Sequence, residues 1–315
     1  MKIISILQKK ELTKRKNYVI ICVLNEKEIK MIISPIFYMG NKKKLIQKGL
    51  IDLFPKNIDT FVDLFGGSGI VSMNIIANNY FVNDINAHIY DFYKMFSNET
   101  YDYIISRILS NIQKFGMLRV GVKQNSTEAE VYKEKYIKMR EYANKGDIID
   151  LYSCMFYAFS QQMRFNSKGN FNMPFGNGAF TESNEEYIKN GCNFFSKENV
   201  TITNNDFRVL KPCNLSENDF VYLDPPYFNT TATYNDNGGW TENDENDLYK
   251  LCEELNNCNI KFAMSNVFSN KGITNEKLIE WCKKNNWSVH YFDNFTYSAC
   301  GKGNGKTMEV LIMNY

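Results

Sequence analysis

Histidine is nearly absent from this sequence: its 315 residues contain two. The eight cysteines (Cys22, Cys154, Cys192, Cys213, Cys252, Cys258, Cys282 and Cys300) are scattered and form no C-x-x-C pair. No zinc pattern can be built from such a set, and no metal is expected. The cysteines read as reduced thiols of a cytoplasmic protein. No run of about 18 apolar residues occurs, so no membrane span is expected. Residues 1–30 lack the continuous apolar stretch and small-residue cleavage site of a signal peptide. There is no internal repeat.

What is present suits a packed core. Hydrophobic residues make up 44% and aromatics 15%, enough for one large domain or a domain with an insertion. Net charge is only +2 but unevenly spread. Residues 1–50 are rich in lysine, whereas residues 242–254 are acidic. A basic face could meet phosphates. Yet Lys, Asn, Ile, Tyr and Phe are abundant together, as an AT-rich coding bias also produces, so charge alone decides nothing.

Periodicity divides the chain. Leu45, Ile46, Leu50 and Leu53 share a face of a helix predicted over residues 43–54, and Pro55 stops it. Residues 61–65 read as a buried strand. Gly66-Gly67-Ser68-Gly69 is a turn into a helix in which Ile70, Met73, Ile76 and Ala77 are spaced for burial. Residues 80–84 are the next strand, completing a β-turn-α-β unit. Residues 86–163 are mainly helical and finish in a buried helix over 151–163. Residues 164–180 mix glycine, asparagine and aromatics, which predicts an ordered loop or hairpin. Further strands are predicted at 201–203, 220–223, 260–264, 288–292 and 308–313. Helices are predicted after the Thr241/Asp244 cap and over 275–284. The fold class is α/β, with a doubly wound, mostly parallel sheet and an inserted, mainly helical segment.

Two motifs carry chemistry. Asp224-Pro225-Pro226-Tyr227 follows the apolar strand 220–223. An acid can accept one hydrogen of an amino group; a carbonyl at or before the first proline can accept another. The tyrosine ring can lie on a heterocycle. The set suits methylation of an exocyclic base nitrogen, and the ring rather than the hydroxyl of Tyr227 is given the work. Second, the glycine turn allows a ligand close to the backbone. It is neither G-x-G-x-x-G nor a P-loop. Asp84 ends the next strand, where an acid accepts ribose hydroxyls in doubly wound folds. Glycine turn and acid together indicate an adenosine-bearing ligand, and the amino clamp beside it points to S-adenosyl-L-methionine.

In this combination the chain resembles the Dam-type (D12 class) DNA adenine-N6 methyltransferases, with motif order cofactor, target recognition, catalysis. Residues 35–315 follow that order. The resemblance implies a seven-stranded Rossmann-like methyltransferase fold. It divides the chain into an extra N-terminal arm (1–30, unless Met31 is the natural start), a catalytic domain (31–90 and 196–315) and a target-recognition domain (91–195). Tyr38 and Lys42 match the family's N-terminal cofactor motif, with Asn41 in place of a usual glycine. Val62-Asp63-Leu64-Phe65 and the turn Gly66, Gly67, Ser68 and Gly69 match the family's donor-binding acid-Pro-Phe stretch, with Leu64 where proline is usual. Asp84 matches the ribose-binding acid; Asp206 and Phe207 match the pair near the donor's adenine. Asp224 belongs to both the cofactor and the catalytic sets, the latter with Pro225, Pro226 and Tyr227.

Residues 164–176 (Arg164-Phe165-Asn166-Ser167-Lys168-Gly169-Asn170-Phe171-Asn172-Met173-Pro174-Phe175-Gly176) resemble the family's R-[YF]-N-x-x-G-x-F-N-x-P-[YF]-G block at the DNA interface. Arg164, Asn166, Lys168, Asn172 and Pro174 are its candidate DNA contacts, while Phe165, Phe171 and Phe175 are expected to pack. Lys302 and Lys306 lie in a glycine- and lysine-rich stretch that reads as a DNA-contacting loop or a solvated hairpin. The implied activity is methylation of N6 of a flipped adenine in duplex DNA, in a GATC-like site, as in restriction-modification. The implied enzyme is a cytoplasmic monomer or weak dimer. A cytosine-N4 or RNA amino-methyltransferase, or a catalytically silent DNA-binding module, is the alternative.

Overall fold

Short runs of alternating and continuous apolar residues build one mixed sheet. The computed structural model describes residues 31–38, 40–123, 126–228, 239–270, 272–295 and 307–315, without the side chains of 293–295. The arm 1–30, Lys302 and Lys306 lie outside the described residues. The elements are α1 (Lys43–Ile46), β1 (Ile58–Asp63), α2 (Ile70–Asn74), β2 (Ala77–Asn83), α3 (Ala87–Asn98), α4 (Tyr101–Phe115), α5 (Thr127–Ala143), α6 (Ile148–Met155) and α7 (Glu182–Phe195). They continue with β3 (Val200–Thr203), β4 (Phe220–Leu223), α8 (Glu242–Asn257), β5 (Lys261–Asn270), β6 (Ile273–Thr274), α9 (Glu276–Lys284), β7 (Ser288–Phe295) and β8 (Thr307–Met313).

The sheet runs β3-β2-β1-β4-β5-β8-β7, with the two-residue β6 paired to the end of β5. The first five strands are parallel, and β8 lies antiparallel between β5 and β7. This is the doubly wound, mostly parallel sheet that the alternating pattern implies; only β6 had no counterpart in it. Every residue of β4 is buried, as a central strand covered on both faces requires. Successive side chains point to opposite faces and feed two cores. Phe61, Tyr222 and Leu311 join the aromatics of α3, α6 and α7 on one face. Val62, Val221 and Ile312 meet Leu248 of α8 and Leu278 of α9 on the other. The strand order reverses between β1 and β4, so a crevice opens at their carboxyl ends.

Three helices are shorter than their periodicity predicts. The run 43–54 breaks at Gly49 (φ +89°) and resumes as a 3-10 turn, Ile51–Leu53. Leu45 and Leu50 are nevertheless fully buried. α2 ends at Asn74, whose side-chain amide exchanges two hydrogen bonds with the backbone of Ile32. Ile76 is consequently 81% exposed, and Ala77 already belongs to β2. The helix predicted over 151–163 stops at Met155, because the next backbone groups pair with the following hairpin. Phe159 N–H donates to Pro174 C=O, and Gly176 N–H to Tyr157 C=O. No described helix is long and apolar enough to cross a membrane.

Candidate active site

Three adjacent parallel strands deliver an acid to the crevice. Asp63 is the last residue of β1, Asp84 follows β2, and Asp224 follows β4. Asp84 is held by the backbone: Gly67 N–H donates to Oδ2 and Asn86 N–H to Oδ1, each at 2.8 Å. Burial lifts its carboxyl to about 6 against the pull of those two bonds. Asp63 is more enclosed. Its Oδ2 accepts from the Ser72 hydroxyl at 2.6 Å, while buried Oδ1 meets no donor among the described residues. Burial lifts this carboxyl to about 7. Asp224 keeps 20% of its side chain exposed, enough for a substrate to reach it. Lys42 Nζ lies 2.7 Å from its Oδ2, and the Tyr227 hydroxyl donates to Oδ1 at 3.2 Å. Burial raises the Asp224 carboxyl above the usual range, and the Lys42 ammonium opposes that rise.

Lys42 is almost wholly buried and also donates to Gly40 C=O at 3.1 Å. Its ammonium sits 5.3 Å from the centroid of the Tyr227 ring. Of the two residues that separate Asp224 from Tyr227 in the chain, Pro225 is buried and Pro226 half-buried. The Tyr227 hydroxyl is also 3.3 Å from Oε1 of Glu309, a fully buried acid on β8. The sequence places Lys42 in the donor motif; its direct partner in the structure is the catalytic-motif acid.

The glycine turn has no room for side chains. Gly67 takes φ +53°, and a Cβ there would lie 3.2 Å from the Tyr38 ring. A Cβ on Gly66 would lie 2.6 Å from the Tyr93 hydroxyl, which donates to Gly67 C=O. Ser68 is buried and its carbonyl accepts from the Ser34 hydroxyl. Gly69 is the N-cap of α2. Beyond the turn, Phe65 packs 5.4 Å from Phe207, and Trp240 lies within 6.0 Å of both. Asp206 faces elsewhere in its bonding: Arg208 clamps it together with Asp244 and Asp247.

The hairpin satisfies many of its own polar groups. Arg164 Nε donates to Asn172 Oδ1 at 2.8 Å and Nη2 to Asn172 C=O at 3.0 Å. Asn166 Oδ1 accepts from the backbone N–H of Lys168 and Asn170, which builds the turn. Arg164, Lys168 and Pro174 are exposed; Phe171 is buried, and Phe165 and Phe175 are half-buried. α5 fixes the hairpin's base, with Tyr136 and Arg140 both donating to Met173 C=O at 2.8 Å. Phe165 stacks on His88 of α3 at 3.7 Å, which joins the hairpin to the segment following Asp84.

Three features, at Glu309, Trp240 and Phe159, lie outside the residues singled out from sequence. An acid inside an apolar strand marks both Asp63 and Glu309, and that signal is readable without a structure. Trp240 beside Phe65 is a tertiary contact with no local signal. Phe159, 42% exposed, flanks Ser160 and Gln161 at φ +53° and +54°, a strained pair that no pattern announces. Among the described residues, no group of three or more His, Cys, Asp and Glu is arranged to hold a metal.

The profile of the D12 class N6 adenine-specific DNA methyltransferases matches residues 38–294. The modification methylase StsI of Streptococcus sanguinis is 34% identical over 91% of this chain and 43% of its own length. The type II methyltransferase M.FokI of Planomicrobium okeanokoites is 34% identical over 90% of this chain and 43% of its own. A DNA adenine methylase of Vibrio cholerae is 27% identical over 61% of this chain and 66% of its own. The chain thus spans less than half the length of the first two relatives. With the profile covering most of it, the chain belongs to the D12 class N6 adenine-specific DNA methyltransferase family.

Proposed function

We propose that this chain transfers the methyl group of S-adenosyl-L-methionine to N6 of an adenine flipped out of duplex DNA. The observation that carries the reading is Asp224: a partly open carboxylate, fixed between Lys42 and Tyr227, at the crevice between β1 and β4. The residues present fit the donor. Gly66 and Gly67 let the turn pack directly against Tyr93 and Tyr38, where a Cβ would collide, and the Asp63 Oδ1 that meets no donor among the described residues suits the donor's ammonium. Asp84 has lone pairs left for ribose hydroxyls. Phe65, Phe207 and Trp240 offer ring surface for its adenine. When bound, the donor supplies a methyl group activated by its sulfonium.

The adenine amino group is a poor nucleophile because its lone pair is delocalised into the ring. Asp224 accepts one N6 hydrogen and a carbonyl near Pro225 the other, so the nitrogen becomes more tetrahedral and its lone pair turns toward the methyl group. The Tyr227 ring stacks on the base, a contact of about 1–3 kcal/mol. Fixing both partners in line supplies further acceleration. An amino group paired in a duplex is out of reach, so the base must leave the stack. Residues 91–195 act as the target-recognition segment. Arg164, Lys168 and exposed Phe159 face the DNA, Asn172 orients Arg164, and Asn166 shapes the turn. A GATC-like target is the expectation carried by residues 164–176.

The test is transfer of labelled methyl groups to methyl-free duplex DNA, with RNA in parallel, followed by mapping of the modified positions. Label confined to adenines of one short duplex sequence is the expected result. Label in cytosine or RNA selects the corresponding alternative, and stoichiometric DNA binding with no label selects the silent module.

A further inference from the structure

Two cysteines that lie 45 positions apart in the chain meet at the surface, with the sulfurs of Cys213 and Cys258 3.3 Å apart. Cys213 is exposed and Cys258 half-buried, whereas Cys154, Cys192, Cys252 and Cys282 are buried. Each sulfur of the pair is carried by a turn whose backbone is bonded. Cys213 sits in the 3-10 turn Pro212–Asn214, where Asn214 N–H donates to Lys211 C=O at 2.9 Å and Leu215 N–H to Pro212 C=O at 3.0 Å. Cys258 caps the carboxyl end of α8: its N–H donates to Glu254 C=O at 3.0 Å, and the next residue, Asn259, takes φ +58°. Leu215 and Cys258 both pack against the core beneath α8. Among the described residues no third His, Cys, Asp or Glu stands with the pair in a group that could hold a metal, so a closed zinc site does not account for it. The buried thiols are a different case. Burial pushes Cys154 and Cys282 up to about 12 and Cys192 up to about 11, which keeps them protonated and inert.

We propose that Cys213 and Cys258 form a reversible disulfide by exchange with a low-molecular-weight disulfide such as oxidised glutathione, and that this bond staples the catalytic segment. Exposed Cys213 is the entry thiol. Its thiolate attacks one sulfur of glutathione disulfide, a mixed disulfide forms, and one glutathione leaves as its thiolate. The Cys258 thiolate then attacks the Cys213 sulfur, the protein disulfide forms, and the second glutathione leaves. The protein pair gives up two electrons and two protons, and one glutathione disulfide becomes two thiols. Because the second sulfur already touches the first, the closing step is intramolecular and the mixed disulfide does not persist. The bond closes the segment 213–258, which carries β4, residues 224–227 and α8. It restricts the unfolded chain and so favours the folded one. Cys213 precedes β4 and Cys258 precedes β5, two neighbouring parallel strands, so the pair lies toward their amino ends and away from the crevice that holds Asp224.

The test is incubation of the full chain with oxidised glutathione, followed by alkylation, peptide mapping and thermal melting, with Cys213→Ser and Cys258→Ser in parallel. The expected product is a single linked peptide pair, Cys213 with Cys258, with the loss of two alkylatable thiols and their full return on adding dithiothreitol. Oxidation is expected to raise the melting temperature of the wild type by about 5–10 °C and of neither variant. Four results would each overturn the proposal: both thiols still alkylated after the oxidant, a lasting glutathione adduct on Cys213, a link from either residue to another cysteine or to a second chain, or a linked pair that melts no higher. If Cys258→Ser does not fold, Cys213→Ser, at an exposed position, still decides it.

Discussion

The strand-end site and the hairpin of residues 164–176 treat their polar groups in opposite ways. At the strand ends Asp63, Asp84 and Glu309 are buried, and one oxygen of Asp63 has no donor among the described residues. In the hairpin the polar side chains are mostly exposed and bond to one another, as Arg164 does to Asn172 and Asn166 to its own turn. Unmet demand inside a rigid sheet is what a small-molecule and base site needs, since a ligand then completes bonds that the fold leaves open. A surface loop whose polar groups bond one another keeps its shape on its own, and on the proposed reading it would offer that shape, with a few charges, to DNA.

The comparison breaks most visibly at Asp224. Asp224→Ala is expected to slow methyl transfer by about a thousandfold, with donor affinity within a few-fold of wild type. Single-turnover labelling and equilibrium dialysis measure the two. Comparable turnover by the variant would remove Asp224 from the chemistry.

Asp63 tests whether the strand ends store unmet demand. Its carboxyl is raised from 3.8 to about 7, so between those pH values the folded state holds a proton that the unfolded state has released. Its contribution to stability is therefore full below about pH 4 and is lost as pH rises through about 7. Asp63→Asn should stabilise the donor-free protein at pH 8 by up to about 4 kcal/mol, with little gain at pH 4, while weakening donor binding. Urea denaturation at the two pH values reads this directly; equal stability of both proteins at pH 8 would contradict it.

In the hairpin, Arg164→Ala should cost DNA affinity by about 1–3 kcal/mol if it reads a base, or lower the salt slope by about one if it holds a phosphate. Titration at several salt concentrations separates these, and melting should hardly change because the lost Asn172 pair is exposed. The smallest effect belongs to Asn166→Ala. It removes the acceptor of two exposed N–H groups and should shift stability by about 1 kcal/mol or less, with a weaker loss of DNA affinity than Arg164→Ala.

Much of the frame was legible because it is local. The runs 220–223 and 308–313 became β4 and β8 nearly residue for residue, and Thr241 and Asp244 form the capping box of α8. The glycine turn and Asp84 were legible because a tight strand-to-helix turn restricts residue type, and the structure joins them through Gly67 N–H and Asp84 Oδ2. What stayed hidden depends on partners distant in sequence. The helix over 151–163 ends early only because 174–176 captures its backbone. Lys42 meets Asp224 across 182 positions and Glu309 meets Tyr227 across 82, and no spacing rule brings either pair together. The hairpin's composition announced a loop but not which of its polar groups bond one another.

The most direct measurement is the nucleoside composition of methyl-free duplex DNA after incubation with S-adenosyl-L-methionine and either the wild-type protein or Asp224→Ala. Digestion and mass spectrometry should find N6-methyladenine with the wild type and essentially none with the variant. N4-methylcytosine in its place, or N6-methyladenine at equal levels with both proteins, would contradict the assignment of adenine chemistry to Asp224.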